Sequence, residues 1–270
     1  MKTVLKYPGS KWSSAEWIID NFPDGYENMT YLEPCFGSGA VFFNKNRSKI
    51  ETINDVDQNV VNLFRVVRDH PQVINDLIRF TPWSREEYKL SYEQTEDEIE
   101  KARRFLVRCW QAIGTKTSDI TGWSNNIKPV DSGSSRWSRL EESISMTATR
   151  LKSDGMYLVQ IENMDMFELI RRYSKPYVFI YIDPPYLLNT RSKRIYKHEL
   201  TNEDHIELLK LINEHKGPVM ISGYDSDLYN SHLEGWYKDT KPTRCEMGKD
   251  AIEVIWMNYK PKPKQLRLEI

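Results

Sequence analysis

Six apolar side chains in a row, Tyr177-Val178-Phe179-Ile180-Tyr181-Ile182, end abruptly at Asp183-Pro184-Pro185-Tyr186. The run has no period of two and offers no polar face. It therefore reads as a strand buried on both sides, the kind found in parallel sheets covered by helices. Such a strand limits the chain to an α/β architecture, and its C-terminal end is where open α/β sheets bind their ligands. The two prolines fix φ and remove two backbone donors. The turn after the strand therefore offers carbonyl acceptors beside the Asp183 carboxylate and the Tyr186 ring. Acceptors next to a flat apolar face suit a planar base that carries an exocyclic amine.

The rest of the pattern supplies the other strands and helices. A short strand over 30–33 feeds a glycine-rich loop, and Ala40-Val41-Phe42-Phe43 starts the helix behind it. A second strand over 50–53 ends at Asn54-Asp55, and residues 60–67 have the three-four apolar spacing of a helix. Strand, loop, helix, strand, acid and helix in that order make half of a doubly wound sheet. Helices are also predicted from residue 13, over 85–92, 97–110 and 138–152, and from the Thr201 cap. Further strands are expected over 157–161, 218–222 and 253–259. The stretch 114–135, rich in Gly, Ser, Thr and Asn, is too polar for core and too long for an idle connector.

With 270 residues and 39% hydrophobic content, the chain can bury one large core or a core plus a small module. No apolar run approaches a membrane span, and Met1-Lys2-Thr3 does not begin a signal peptide, so a cytoplasmic location is expected. Cys35, Cys109 and Cys245 match no zinc spacing, and the five histidines form no ligand set. No metal is expected. The net charge of −1 does not announce a nucleic-acid binder, but its distribution is uneven. Residues 84–100 are acidic, whereas 101–150 carry nine basic side chains against four acidic ones, interleaved with Trp110, Trp123 and Trp137. Cations among aromatics point to a nucleic-acid surface.

Asp183-Pro184-Pro185-Tyr186 resembles the catalytic motif of amino-methyltransferases that use S-adenosylmethionine. Three further segments extend the likeness. Leu5-Lys6-Tyr7-Pro8-Gly9-Ser10-Lys11 looks like the opening cofactor motif of that group. Leu32-Glu33-Pro34-Cys35-Phe36-Gly37-Ser38-Gly39-Ala40 resembles its glycine-rich loop, and Asn54-Asp55-Val56-Asp57 its ribose-binding acidic motif. Their order resembles that of the Dam-type, alpha-group DNA adenine-N6 methyltransferases over residues 1–75 and 155–260. The resemblance implies a Rossmann-like methyltransferase fold, a doubly wound, mostly parallel sheet with a small, mainly helical inserted DNA-recognition domain. Residues 1–78 and 152–270 would form the catalytic domain and 79–151 the target-recognition domain.

By the same resemblance, Asp183, Pro184, Pro185 and Tyr186 would be catalytic. S-adenosylmethionine would be held by Tyr7, Lys11, Glu33, Pro34, Phe36, Gly37, Ser38, Gly39, Ala40, Asp55, Asn163, Asp165 and Asp183. Glycines let backbone approach the ligand, and Asp55 is spaced to accept ribose hydroxyls. Asp183 and the Pro184 carbonyl would accept from the N6 amine of a flipped adenine, with Tyr186 stacked on the base. Side-chain chemistry nominates Arg108, Trp110, Gln111, Trp123, Asn125, Asn126, Arg136, Arg139, Arg191, Lys193, Arg194 and Lys197 as DNA contacts. The middle segment departs from the pattern of enzymes that read GATC, so no recognition sequence follows. Double-stranded DNA is the expected partner, with a restriction endonuclease as a possible companion and the protein as a monomer or weak dimer. A cytosine-N4 or RNA adenine methyltransferase keeps the same chemistry, and a non-catalytic nucleic-acid-binding module is the alternative of a different class.

Overall fold

The computed structural model describes residues 3–125, 133–188, 194–244 and 250–262. Among these, seven strands form one sheet: β1 (Thr30–Glu33), β2 (Ile50–Asn54), β3 (Leu158–Glu162), β4 (Val178–Ile182), β5 (Val219–Tyr224), β6 (Tyr237–Arg244) and β7 (Asp250–Met257). Their order is β3-β2-β1-β4-β5-β7-β6. The first five run parallel, whereas β7 is antiparallel to β5 and β6 antiparallel to β7. The mixed α/β sheet expected from the apolar runs is therefore present. Its chain reverses direction of travel between β1 and β4, which makes their C-terminal ends the switch point.

β4 shows why the run at 178–182 had to be continuously apolar. Val178, Ile180 and Ile182 enter one buried cluster, and Phe179 and Tyr181 enter another on the opposite face. Successive side chains of a strand point to opposite sides, so a strand covered on both faces can expose none. The Val178 side is closed by α9 (Met166–Arg172) and α10 (Asn202–Asn213), through residues such as Leu169 and Leu208. The Phe179 side is closed by α1 (Ala15–Asp20), α2 (Ala40–Asn44) and α3 (Gln58–Asp69).

The same Phe179-side cluster continues beyond α3 into the middle of the chain. It takes in α4 (Pro71–Phe80), α6 (Glu98–Gln111) and α8 (Leu140–Leu151), through Ile74, Phe105, Leu106 and Ile144. Arg150 of α8 also reaches the sheet, donating to Glu51 Oε2 at 2.6 Å, and Lys45 pairs with the same buried carboxylate. Two smaller helices, α5 (Arg85–Leu90) and α7 (Gly133–Trp137), flank α6. The final helix, α11 (Asp227–His232), packs Tyr229 under β7.

The Thr201 cap is a full capping box with Asp204, a structural device at the start of α10. Several elements were not foreseen from the sequence, among them α4, α7, α9, α11 and β6. α4 begins with Pro71 at its first turn and turns Ile74 and Ile78 inward. β6 carries Lys, Asp, Thr and Pro with no apolar period, because it is an edge strand and an edge tolerates Pro242.

Candidate active site

Register pairs Leu32 with Ile180, so Glu33 and Asp183 leave adjacent strands at the switch point. Between them and the opening segment lies a cleft of about 270 Å³. Of the residues expected to hold a cofactor, Tyr7, Lys11, Glu33, Pro34, Phe36, Gly37, Ser38, Ala40, Asp55, Asp165 and Asp183 line it. Gly39 stands behind the loop: its φ is +66°, and a Cβ there would come within 2.3 Å of the Phe36 ring. Only glycine fits that position.

The geometry gives two of the expected cofactor residues, Asp55 and Asn163, bonds to backbone. Asp55 lines the cleft, but its carboxylate is already at work on backbone: Oδ2 accepts from Gly37 N at 2.8 Å and Oδ1 from Asp57 N at 2.9 Å. It therefore pins the glycine loop to β2 and has only its remaining lone pairs for a ligand. Asn163 does not line the cleft. Its amide donates to the Asp55 carbonyl at 2.7 Å and braces that acid from behind. Asp165 caps α9, accepting from Phe167 N and Glu168 N.

Acidic side chains dominate the lining, with Glu33, Asp55, Asp57, Asp165, Asp183, Glu199 and Asp204 against Lys11. Such a cleft repels phosphate and suits a ligand with cationic groups, which is the charge pattern of S-adenosylmethionine at its sulfonium and ammonium. Glu33 is buried, its Oε2 accepts from Tyr31 at 2.6 Å, and Oε1 receives no hydrogen bond from the described residues. Burial pushes its carboxyl up to about 8. Burial likewise lifts Asp55 to about 6, against the opposing pull of its two backbone donors.

At the turn after β4, the two oxygens of Asp183 have different surroundings. Oδ1 lies 3.1 Å from Lys11 Nζ and accepts from Ser222 Oγ at 2.9 Å, whereas Oδ2 receives no hydrogen bond from the described residues. Burial disfavours the Lys11 ammonium, but Asp183 and Glu253 outweigh it and raise Lys11 above its ordinary value. Pro185 faces the cleft and Pro184 is buried. The open aromatic face expected at Tyr186 is not formed. The ring is 9% exposed, its hydroxyl donates to Glu253 Oε1, and Tyr224 packs edge-on against it at 4.8 Å. Glu253, far along the chain on β7, was missed because nothing in its local sequence marks it. Ser222 lies at the end of the strand expected over 218–222.

The DNA-contact candidates separate into two groups. Trp110 and Gln111 are corrected. Trp110 is 6% exposed with its indole bonded to the Val4 carbonyl, and Gln111 is fully buried between Pro82, Ser84 and Trp123. They hold α6 to its neighbours. Trp137 is likewise buried and donates to the Thr81 carbonyl. Trp123 is half-buried with the Arg85 guanidinium 5.0 Å from its ring, and Arg108 lies over Tyr92 and Phe105. Asn125, Arg136, Arg139, Arg194 and Lys197 are exposed. Asn126, Arg191 and Lys193, with Lys128 and Cys245, lie outside the described residues.

The segment after the turn that follows β4 meets the polar middle stretch directly. Thr117 N donates to the Ile195 carbonyl at 2.9 Å, while Ile195 N and Tyr196 N both donate to Glu199 Oε1. Tyr196 then lines the cleft opposite Tyr7, with ring centroids 6.2 Å apart. Among the described residues, no group of His, Cys, Asp and Glu could hold a metal ion, and no helix is long and apolar enough to cross a membrane.

Strand order and site together define a methyltransferase of the exocyclic-amine type. A family model, D12 class N6 adenine-specific DNA methyltransferase, matches residues 7–246, and the chain belongs to that family. It is 25% identical over 288 residues to the type II methyltransferase M.MjaIII of Methanocaldococcus jannaschii, covering 96% of this chain and 99% of that protein. It is also 25% identical over 294 residues to the type II methyltransferase M1.LlaDCHI of Lactococcus lactis subsp. cremoris, covering 96% of each. Among solved structures, the rRNA methyltransferase aviRa from Streptomyces viridochromogenes overlays with a TM-score of 0.38 and 11% identity, covering 91% of this chain and 82% of that one. That likeness is too low to bear on the fold, which rests on the strand order. The protein is an S-adenosylmethionine-dependent DNA adenine-N6 methyltransferase.

Proposed function

We propose that Asp183 is the acceptor for the target amine and that its Oδ2 is the oxygen used. The observation that supports this is the division of the carboxylate: Oδ1 is held by Lys11 and Ser222, and Oδ2 is left for a ligand. The N6 lone pair of adenine is delocalised into the ring, so the amine is a poor nucleophile. Accepting one hydrogen at Asp183 Oδ2 and the other at the Pro184 carbonyl favours a pyramidal nitrogen with its lone pair aimed across the cleft. S-adenosylmethionine, when bound, supplies an activated methyl group. The protein's part is placement and electrostatics, both fixed before the substrate arrives. An adenine must leave the duplex to reach this turn, at a cost of a few kcal/mol. Pro185, which lines the cleft, is the surface of the turn that it meets.

The cofactor reading assigns the cationic end to Glu33, the loop 34–40 to close backbone contact, and the ribose to the free lone pairs of Asp55 or to Asp57. Tyr7 and Tyr196 would close the cleft from the side opposite the loop. Residues 79–151 form the target-recognition region, inserted between the two parts of a catalytic domain at 1–78 and 152–270. Its exposed Arg136 and Arg139, with Arg194 and Lys197 after the turn, are assigned to the DNA backbone. Both named relatives are type II methyltransferases, which supports a place beside a restriction endonuclease of the same recognition sequence.

The test is incubation with labelled S-adenosylmethionine and duplex DNA free of N6-methyladenine, followed by digestion and identification of the labelled nucleoside. The expected result is N6-methyladenine from the parent protein and none from Asp183→Ala, which still folds and still binds S-adenosylhomocysteine. Near-normal turnover by Asp183→Ala would remove the assignment.

A further inference from the structure

We propose that Glu253 of β7 is a positioning residue for methyl transfer, fixing Lys11 and Tyr186 so that Asp183 is held in its working orientation. The inference rests on the assignment of Asp183 to the target amine.

Glu253 stands in antiparallel register opposite Tyr224 of β5 and Lys241 of β6. The β5–β7 pair grips Tyr186 from two directions. Tyr224 packs edge-on against the ring at an interplanar angle of 74°, and Glu253 Oε1 accepts from the hydroxyl. Register fixes Tyr224 and Glu253 side by side, so the sheet itself sets where the tyrosine sits.

The same Oε1 lies 3.5 Å from Lys11 Nζ. That ammonium also donates to the Gly9 carbonyl at 2.9 Å, lies 3.1 Å from Asp183 Oδ1, and is 4.7 Å from the centre of the Tyr186 ring. The ammonium therefore has one hydrogen-bonded carbonyl and two carboxylate oxygens in ion-pair range. One ammonium serves two carboxylates. Without Glu253 it would be free to swing wholly onto Asp183 and compete for the oxygen that must face the amine. Glu253 is 5% exposed, so these partners are held in a site with little water to substitute for them.

The β5–β7 pair thus restrains the turn through Tyr224 and Glu253, and β7 is the strand most distant in sequence from the opening segment. A carboxylate that merely filled space on β7 would need neither the lysine nor the tyrosine hydroxyl.

The test uses the full-length protein, labelled S-adenosylmethionine and duplex DNA free of N6-methyladenine. Glu253→Gln keeps the shape of the side chain and removes its charge. It is expected to lower kcat by at least about fivefold, with S-adenosylhomocysteine affinity by calorimetry changed less than about threefold. Tyr186→Phe, which removes one oxygen, should lose kcat by a comparable factor. The double variant should lose no more than the larger single loss, because both cut one linkage. A smaller kcat loss, a loss carried by cofactor affinity, or single losses that multiply in the double variant would overturn the proposal. Should Glu253→Gln fail to fold, Tyr186→Phe decides by the same kcat and affinity criteria. Activity surviving in Asp183→Ala would instead remove the underlying assignment, so the two failures are distinguishable.

Discussion

The Ser222 hydroxyl, within β5, donates to Asp183 Oδ1 across 2.9 Å, and this bond ties β5 to the turn that follows its parallel neighbour β4. Together with Lys11 it sets which carboxylate oxygen faces the cleft. A hydrogen bond to a charged group contributes about 1.5–3 kcal/mol. Ser222→Ala is therefore expected to lower kcat by about 10- to 100-fold, with cofactor affinity unchanged. Steady-state methylation beside calorimetric binding of S-adenosylhomocysteine checks it. Unchanged kcat would mean that Lys11 alone sets the carboxylate.

Glu33 links cofactor binding to pH. Its folded value, about 8, lies above the ordinary 4.5, because burial disfavours the ionised form. The folded protein therefore keeps a proton that the unfolded chain has released. This contribution to stability is complete below about pH 4.5 and is lost as pH rises through about 8. A cationic ligand favours the ionised carboxylate, so its binding releases the proton. S-adenosylmethionine affinity is expected to tighten between about pH 6 and 8.5, by up to tenfold per unit, and Glu33→Gln should flatten that rise. Titrations in two buffers of different ionisation enthalpy would count the proton. A pH-independent affinity in the parent protein would contradict the reading.

Arg194 and Lys197 are exposed beside the mouth of the cleft, and Lys197 lies 3.7 Å from Asp57. If they meet phosphates, each contributes about 0.9 to the slope of log affinity against log salt. The double replacement Arg194→Ala with Lys197→Ala should reduce that slope by about 1–2. Fluorescence anisotropy on a labelled duplex from low to moderate salt measures it. An unchanged slope would take both cations off the DNA.

Glu51 concerns stability rather than chemistry. It is buried, and its paired cations hold the carboxyl below the ordinary value despite the burial that opposes it. Removing it leaves Lys45 and Arg150 without their anion inside the core. Glu51→Ala is expected to cost about 3–5 kcal/mol, read as a lower midpoint in urea. Turnover per folded molecule should stay as in the parent, since no part of this cluster lines the cleft.

The part of the fold legible in the sequence was the part whose residues carry their own reason. The apolar run 178–182 announced a doubly covered strand, and β4 is buried at every position. The glycine loop, the acid after β2 and the turn after β4 announced a site because backbone freedom and charge at strand ends are local properties. α4 was hidden in a stretch with no other helix signal, and β6 has no apolar pattern because it lies at the edge.

The tryptophans among the basic residues show the opposite case. Trp110 and Trp137 have the composition of a nucleic-acid surface, yet both are buried with their indoles bonded to backbone carbonyls. An aromatic ring suits a core as well as a base, and only packing chooses between them. Tyr186 was placed correctly in the chain and wrongly in its exposure, because its partner Glu253 lies 67 residues away on β7.

By itself the sequence determined the class of fold, since the apolar runs and the glycine loop that specify it are close in the chain, whereas the clash that bars a side chain at position 39 comes from the folded Phe36 ring. The tertiary structure alone decided that Ser222 and Lys11 meet Oδ1 of Asp183, that Oδ2 receives no hydrogen bond from the described residues, and that Glu253 reaches the same Lys11. These three come from β5, the opening segment and β7, and only strand order and register bring groups so far apart in sequence within hydrogen-bonding reach of one another.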